Sequence, residues 1–255
     1  HRNDGCHFIG RDKLRKLSRA YIQGTLSVQL DEQLKAMGIT GYQIENITTV
    51  ENRSGEIVEI DSDKDPTVIL LHYNSLLPRK IDYIPPRVKI EISCLSMDEP
   101  VEECDIRSLI CETFPEDDTD AACRIRTVVP TRTFLEKIFL LAEEFQKDKP
   151  RSMRMSRHLY DLERLMDSDF GKSALSDQTL YDAIIEHRQA YYALKYVDYS
   201  LHSPTTINIL PPEKVLDDWR QDYLNMQRYF IYGESLDFDQ LMKRIIELQR
   251  RLRNM

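Results

Sequence analysis

Two consecutive segments between residues 128 and 166 carry charged side chains at positions that packing alone does not require. The first reads P-T-R-T-F-L-E-K-I-F-L-L and places Lys137 on an otherwise apolar helix. Thr133 stands three residues before Glu136, a capping-box pattern, so we expect the helix to begin there with Lys137 in its first turn. A lysine at a helix start could bind a phosphate, or it could pair with a neighbouring carboxylate. The pattern leaves both open.

The second segment, M-S-R-H-L-Y-D-L-E-R-L-M, is also amphipathic. A helix would place Asp161 between Arg157 and Arg164 on one face, because residues three or four apart are neighbours on a helix surface. This face could belong to a functional site, and it could equally be a ladder of solvated ion pairs. We expect the adjacent His158 to be structural, since a lone histidine is weak evidence for a site.

A candidate metal ligand lies on an earlier strand. Residues 87–93 alternate between apolar and polar side chains, which predicts a strand with Lys89 and Glu91 on its polar face. If that face is solvated, both are ordinary surface residues. If it lines a cleft, the Glu91 carboxylate could hold a divalent cation.

The composition is typical of a soluble globular protein. Of the 255 residues, 41% are hydrophobic and 31% are charged. No apolar run approaches the roughly 18–20 residues that cross a bilayer, and the first residues lack a signal-peptide pattern, so we expect a cytoplasmic protein without a membrane partner. Five cysteines without a C-x-x-C motif argue against a disulfide framework and a zinc site.

Charge is unevenly distributed along the chain. The net charge of −8 argues against binding of nucleic acid over the whole protein surface. Basic residues nevertheless concentrate within residues 11–19 and 147–157, where they could steer an RNA backbone or triphosphates, or form solvated faces. The acidic stretch at 98–120 could serve a basic partner protein.

The pattern of apolar residues predicts strands first and helices afterwards. A helix from about residue 11 to 37 ends at Gly38, and antiparallel strands follow at 42–50, 55–60, 67–73 and 87–93. Further helices are expected at 132–147, 153–168, 176–198, 212–230 and 236–253. The change in character places a domain boundary near Pro130, between residues 1–129 and 130–255.

Several of these segments together resemble the AbiEii/AbiGii abortive-infection toxin family, a branch of the polymerase-beta-like nucleotidyltransferases. The resemblance rests on the two central segments, on R-V-K-I-E-I-S at 87–93 and on W-R-Q-D-Y-L-N-M-Q-R-Y-F-I-Y-G at 219–233. It implies an α+β fold in which a mixed, largely antiparallel nucleotidyltransferase-type sheet with flanking helices precedes an α-helical C-terminal lobe.

The resemblance also implies a function. Family members are expected to transfer a nucleoside monophosphate from an NTP to an acceptor such as an RNA 3′ end, as the toxin of a phage-defence toxin–antitoxin system. The expected partners are therefore an NTP, an RNA and a cognate antitoxin, and the expected cofactor is Mg²⁺ at a two-metal site.

The resemblance leads us to expect six site residues, namely Lys137, Asp161, Glu91, Arg157, Arg132 and Lys89, although Arg132 could equally be a solvated arginine at a helix start. By resemblance, Lys137 neutralises the triphosphate and Glu91 completes the metal site. Asp161 with Arg157 shapes the nucleotide side of the cleft. Lys137, Asp161 and Glu91 are the expected catalytic residues, and the remaining three contact the nucleotide.

The sequence departs from the family pattern at its start. Family members open with a G-G-T or G-S motif and a D-x-D strand that hold the triphosphate and two Mg²⁺ ions, yet no aspartate pair lies on a predicted strand before Glu91. One account is that an upstream segment is missing; the other is a non-catalytic relative that binds a nucleotide or a partner. We expect the first, because a sheet without its first strands would leave an exposed edge.

Overall fold

The computed structural model describes residues 10–51, 55–61, 64–76, 85–98, 100–116 and 122–255. Contacts between residues divide the chain into a first unit, His1–Ser96, and a second unit, Met97–Met255. The helical part begins at Pro130, inside the second unit. By their contacts, residues 97–129 are therefore part of the second unit. By their secondary structure, which includes β-strands, they resemble the first unit.

One continuous helical segment opens the first unit. It comprises α1 (Arg11–Tyr21), a π-helical turn (Ile22–Leu26) and α2 (Ser27–Ala36). Gly38 follows with a φ of 74°, a left-handed conformation in which glycine can end a helix without steric strain. The helix predicted from about residue 11 to 37 is therefore confirmed, and the π-helical turn within it was not predicted.

Two small antiparallel sheets complete the first unit. The strands are β1 (Tyr42–Asn46), β2 (Thr49–Glu51), β3 (Ile57–Glu59), β4 (Thr67–Tyr73) and β5 (Arg87–Ile92). β4 lies between β1 and β5, while β2 pairs with β3 in a separate sheet. The central position of β4 explains why Ile69 and Leu70 are buried.

The second unit begins with a hairpin and continues as helices. Its elements are β6 (Val101–Ile106), α3 (Leu109–Thr113), β7 (Cys123–Val128), α4 (Pro130–Phe145), α5 (Ser156–Leu165), α6 (Asp169–Ala174), α7 (Gln178–His187), α8 (Leu216–Tyr229) and α9 (Phe238–Leu252). β6 and β7 pair antiparallel. The hairpin, α3 and α6 had no predicted counterpart, because each is short and lacks a sustained period of apolar residues.

The core of the second unit surrounds α4. Phe134, Ile138 and Leu141 of this helix are fully buried, and α4 contacts α5, α6 and α7. Trp219 and Tyr223 of α8 are fully buried as well. Together with the antiparallel sheets, this helical region confirms the predicted α+β class.

The start of α4 differs from the prediction. The helix begins at Pro130, with Val129 at the cap position and no capping bond from a side chain. Proline suits the first helical position because its ring fixes φ and its missing N–H would have no helical partner there. The prediction of a start at Thr133 is therefore wrong, and Lys137 lies about two turns inside the helix, away from its positive end.

None of the helices within the described ranges combines the length and the apolar character that a membrane span requires.

Candidate functional site

A lysine–aspartate pair joins the two central helices. The Nζ atom of Lys137 on α4 lies 2.8 Å from an Oδ atom of Asp161 on α5, and the side chains are 21% and 37% exposed. Of the two alternatives for Lys137, the structure shows the carboxylate partner. Because both groups remain partly accessible to solvent, a ligand can still reach the ammonium.

His158 lies beside this pair and is almost completely buried. The side chain of this residue of α5 is 7% exposed, and its Nδ1 atom has no hydrogen-bond partner within the described part of the chain. Burial lowers the pKa of His158 to about 3, and the nearby cations Lys137, Arg157 and Arg151 lower it further in the same direction. The imidazole is therefore neutral at physiological pH, and it adds no positive charge to a surface that already has three cations.

A buried carboxylate organises the basic residues that follow α4. Glu144 is 3% exposed and accepts hydrogen bonds from Lys147 Nζ at 2.7 Å and from Arg151 N, Nε and Nη2 at 2.7, 3.1 and 2.8 Å. Although burial opposes ionisation, these donors hold the pKa of Glu144 below its usual value. The Lys147 ammonium also lies 5.2 Å from the centre of the Tyr196 ring. Part of the basic cluster at 147–157 is therefore fixed next to His158.

A second buried network lies on another side of α4. Arg188 donates from Nε to Glu143 Oε1 at 2.7 Å, from Nη2 to Glu143 Oε2 at 2.5 Å, and from Nη1 to Glu136. Although burial opposes protonation, Glu143 raises the pKa of Arg188 above its usual value. Glu136 thus takes part in an ion network instead of the predicted capping box.

Arg132 belongs to the same network. Its side chain is 4% exposed and its Nε atom lies 3.7 Å from Glu136 Oε1. Among the residues that the structure describes, Arg132 Nε and Nη1 have no hydrogen-bond partner. The assignment of Arg132 to nucleotide binding stays a prediction, and it would require a ligand to reach a nearly inaccessible guanidinium.

The helix that carries Asp161 is held at its start by a distant carboxylate. Asp222 on α8 accepts hydrogen bonds from the backbone N–H groups of Arg154 and Ser156, at 2.6 and 3.0 Å, and from the Ser156 hydroxyl at 2.5 Å. Asp222 therefore accepts hydrogen bonds from free backbone N–H groups at the start of α5. This role normally falls to the N-cap residue of the same helix. Sequence reasoning missed it, since 66 residues separate Asp222 from Ser156 and no local pattern connects them.

Lys89 and Glu91 lie in the first unit, on β5. They form a salt bridge of 2.7 Å, and their side chains are 52% and 50% exposed. The four other predicted site residues belong to the second unit. The resemblance predicts that Lys89 and Glu91 contact the same ligand as the four residues of the second unit, and this stays a prediction.

The fit of the expected metal can be tested on these residues. In the described ranges, no group of three or more His, Cys, Asp or Glu side chains is placed to hold a metal ion. Mg²⁺ requires a set of oxygen ligands in near-octahedral geometry, and the Glu91 carboxylate, which is paired with Lys89, would be one of them, so its assignment to a metal site stays a prediction.

The fold and these contacts define an α+β protein with an accessible polar site, flanked by basic side chains, on its helical part. The family described as "Nucleotidyl transferase AbiEii toxin, Type IV TA system" matches residues 26–244. Because the match spans most of the chain, the chain belongs to the AbiEii family, and the resemblance found in the sequence is confirmed. Membership implies a nucleotidyltransferase of a toxin–antitoxin system. No curated protein and no solved structure matches the chain.

Proposed function

We propose that this protein transfers a nucleoside monophosphate from an NTP to the 3′ end of an RNA, as the toxin opposed by a cognate antitoxin in the cytoplasm. In this reaction the RNA 3′-hydroxyl oxygen bonds to the α-phosphorus, the bond between the α- and β-phosphates breaks, pyrophosphate leaves, and the hydroxyl proton passes to water. Family membership supports the reaction class. The RNA acceptor is our proposal.

The observation that carries the proposal is the Lys137–Asp161 pair. Asp161 holds the ammonium in a fixed position at 2.8 Å, and the 21% exposure of Lys137 leaves it open to an incoming phosphate. Positioned positive charge is what phosphoryl transfer requires, because its transition state carries negative charge on the phosphoryl oxygens. Lys137 would stabilise that charge, and Asp161 would keep the ammonium oriented between turnovers.

The surroundings of the pair suit an anionic ligand. Lys137, Arg157 and Arg151 all lie near buried His158, and Asp161 and Glu144, which pair with Lys137 and Arg151, offset part of their positive charge. Such a concentration of cations raises the local concentration of phosphorylated ligands. Arg157 would contact the nucleotide, and the basic residues 147–157 would follow the RNA backbone. Glu91, Lys89, Arg132 and the dependence on Mg²⁺ remain predictions of the resemblance.

A labelling assay tests the role of Lys137. Protein expressed from the complete gene is incubated with RNA, Mg²⁺ and each radiolabelled NTP, and label in RNA is measured for Lys137→Met and for the control Lys172→Met. Lys172 is an exposed lysine on α6, outside the pair. We expect Lys137→Met to lower labelling about 100-fold or more, the scale seen when one stabilising group is removed from an active site.

Stability separates this role from a merely structural one. A partly exposed salt bridge contributes only about 0–1 kcal/mol, so Lys137→Met should unfold at nearly the same urea concentration as the wild type. Undiminished labelling by Lys137→Met would overturn the assignment. Equal losses in Lys137→Met and Lys172→Met would show that the effect is not specific to the pair.

A second candidate is a non-catalytic relative that binds a nucleotide or a partner protein. One observation favours it: within the described residues, no group of three or more His, Cys, Asp or Glu side chains could hold a metal ion. The same assay discriminates between the candidates. NTP binding that depends on Lys137, without label in any RNA, would support the non-catalytic alternative.

A further inference from the structure

The first unit contains a groove that the proposed function does not use. Its volume is about 330 Å³. Lys16, Arg19 and Gln23, from α1 and the π-helical turn, line one side, and Thr48 and Glu59, from the β2–β3 region, line the other. None of these residues belongs to the site built around Lys137.

Arg19 is a buried cation that forms no salt bridge with any described residue. It is 7% exposed, and its Nη2 atom donates to the backbone carbonyl of Ile47 at 3.2 Å. In the part of the chain that the structure describes, no acidic side chain pairs with it. A guanidinium removed from water is normally paired, because desolvation of an uncompensated charge is unfavourable. An anion in the groove would supply the missing partner.

Two more donors line the same groove. Gln23 Nε2 is buried and has no hydrogen-bond partner among the described residues. Lys16, one turn before Arg19, is exposed and likewise forms no salt bridge with a described residue. Gln23 lies in the π-helical turn that begins at Ile22, and such turns are frequent at functional sites because they shift side chains out of the regular helical register. A guanidinium, an ammonium and an amide N–H thus surround one space, which is the donor set that phosphate accepts.

The opposite side of the groove carries a hydrogen-bond acceptor, the carboxylate of Glu59. Glu59 on β3 pairs with neither Lys16 nor Arg19, and no other described residue forms a salt bridge with its carboxylate. Glu59 is therefore available to accept hydrogen bonds from hydroxyl or amino groups of a ligand. The volume of the groove lies at the lower end of the range for small-molecule sites, about 300–1,000 Å³.

We propose that this groove binds a phosphorylated small molecule of mononucleotide size. Its phosphate would lie against Lys16, Arg19 and Gln23, and its hydroxyl or amino groups would lie against Glu59. The site is a binding site in addition to the one around Lys137, and it requires no chemistry at the ligand.

Calorimetric titration of the full-length protein tests the site. The probes are the four nucleoside 5′-monophosphates, with inorganic phosphate and adenosine as partial ligands. The monophosphates are titrated into the wild type and into Lys137→Met, in which the proposed catalytic site contributes as little as possible; Lys137→Met is the parent of all further variants. We expect at least one monophosphate to bind more tightly than either partial ligand. Binding of inorganic phosphate with equal affinity would overturn the assignment to a mononucleotide.

A matched pair of lysines locates the binding. Lys16→Gln and Lys13→Gln remove the same charge from exposed positions on α1, but only Lys16 lines the groove. Loss of a charge-assisted hydrogen bond should weaken binding about tenfold in Lys16→Gln and leave Lys13→Gln within about twofold of the parent. Equal weakening by both variants would show general electrostatic attraction and overturn the proposal.

Gln23→Leu separates binding from folding. Because Gln23 Nε2 has no hydrogen-bond partner in the described part of the chain, the apolar replacement should leave the melting temperature without ligand unchanged or raised, while weakening the binding of the monophosphate about tenfold. A lower melting temperature with unchanged binding would assign Gln23 a structural role and overturn the proposal. A monophosphate that binds the wild type but not the Lys137→Met parent would bind at the site around Lys137. That result would also overturn the proposal that the groove binds it.

Discussion

Asp222→Ala tests whether a distant carboxylate holds the helix that carries Asp161. The wild-type Asp222 side chain is 6% exposed, and its two oxygens accept bonds from Arg154 N, Ser156 N and Ser156 Oγ. Alanine removes both acceptors and leaves these three donors at the start of α5 without their partner. The backbone of Arg154 is already in the left-handed region, with a φ of 58°, so the local chain depends on its partners to stay in place.

The magnitude follows from these contacts. A helix cap is worth about 0.5–2 kcal/mol, and a hydrogen bond to a charged group about 1.5–3 kcal/mol. The three bonds share one carboxylate and are not additive, so we expect Asp222→Ala to lower the free energy of unfolding by about 3–5 kcal/mol. This is a large part of the stability of a typical domain, about 5–15 kcal/mol. Asp222→Asn keeps one acceptor oxygen and should lose less.

Urea unfolding followed by circular dichroism measures the effect. Asp218→Ala is the control, because Asp218 is an exposed aspartate on the same helix and should change stability by less than about 1 kcal/mol. In a double-mutant cycle, Ser156→Ala should cost much less when Asp222 is already alanine. Similar stabilities of Asp222→Ala and Asp218→Ala would refute the capping role.

Two further predictions concern a buried histidine and a crowded glycine. The pKa of His158 in the folded protein, about 3, lies below its ordinary value of 6.5, so the unfolded chain binds the proton more tightly and stability falls as the pH drops from about 6.5 towards 3. Between pH 7 and 4.5 this contribution is about 2–3 kcal/mol, and His158→Gln should remove it from the urea midpoints; an unchanged pH dependence would contradict the burial argument. A Cβ at Gly171 would lie 2.2 Å from the Leu165 carbonyl oxygen, so Gly171→Ala should cost at least about 2 kcal/mol by thermal unfolding. Gly24 is the control and should tolerate alanine, because outside its own helical segment no described atom lies within 4 Å of such a Cβ; equal melting temperatures would contradict the clash.

The sequence alone determined the elements whose signal is local. A helical period of apolar residues identified α4, α5 and α9, and alternation identified β5, because these periods follow from the geometry of a single element. The motifs on α4 and α5, together with the segments at 87–93 and 219–233, also identified the family, which the match over residues 26–244 confirms. A family can be recognised from the order of residue types along the chain, without knowledge of where those residues lie in space.

Tertiary structure decided the contacts between residues far apart in the chain. The capping-box pattern at Thr133 was locally plausible, but Glu136 is drawn into a network with Arg188, and α4 starts a turn earlier at Pro130. The partner of Lys137 and the role of Asp222 likewise depend on how helices pack, which no spacing along the chain encodes. Local periods say which face of a helix is buried, whereas the neighbour that covers this face is chosen by the packing of the whole unit.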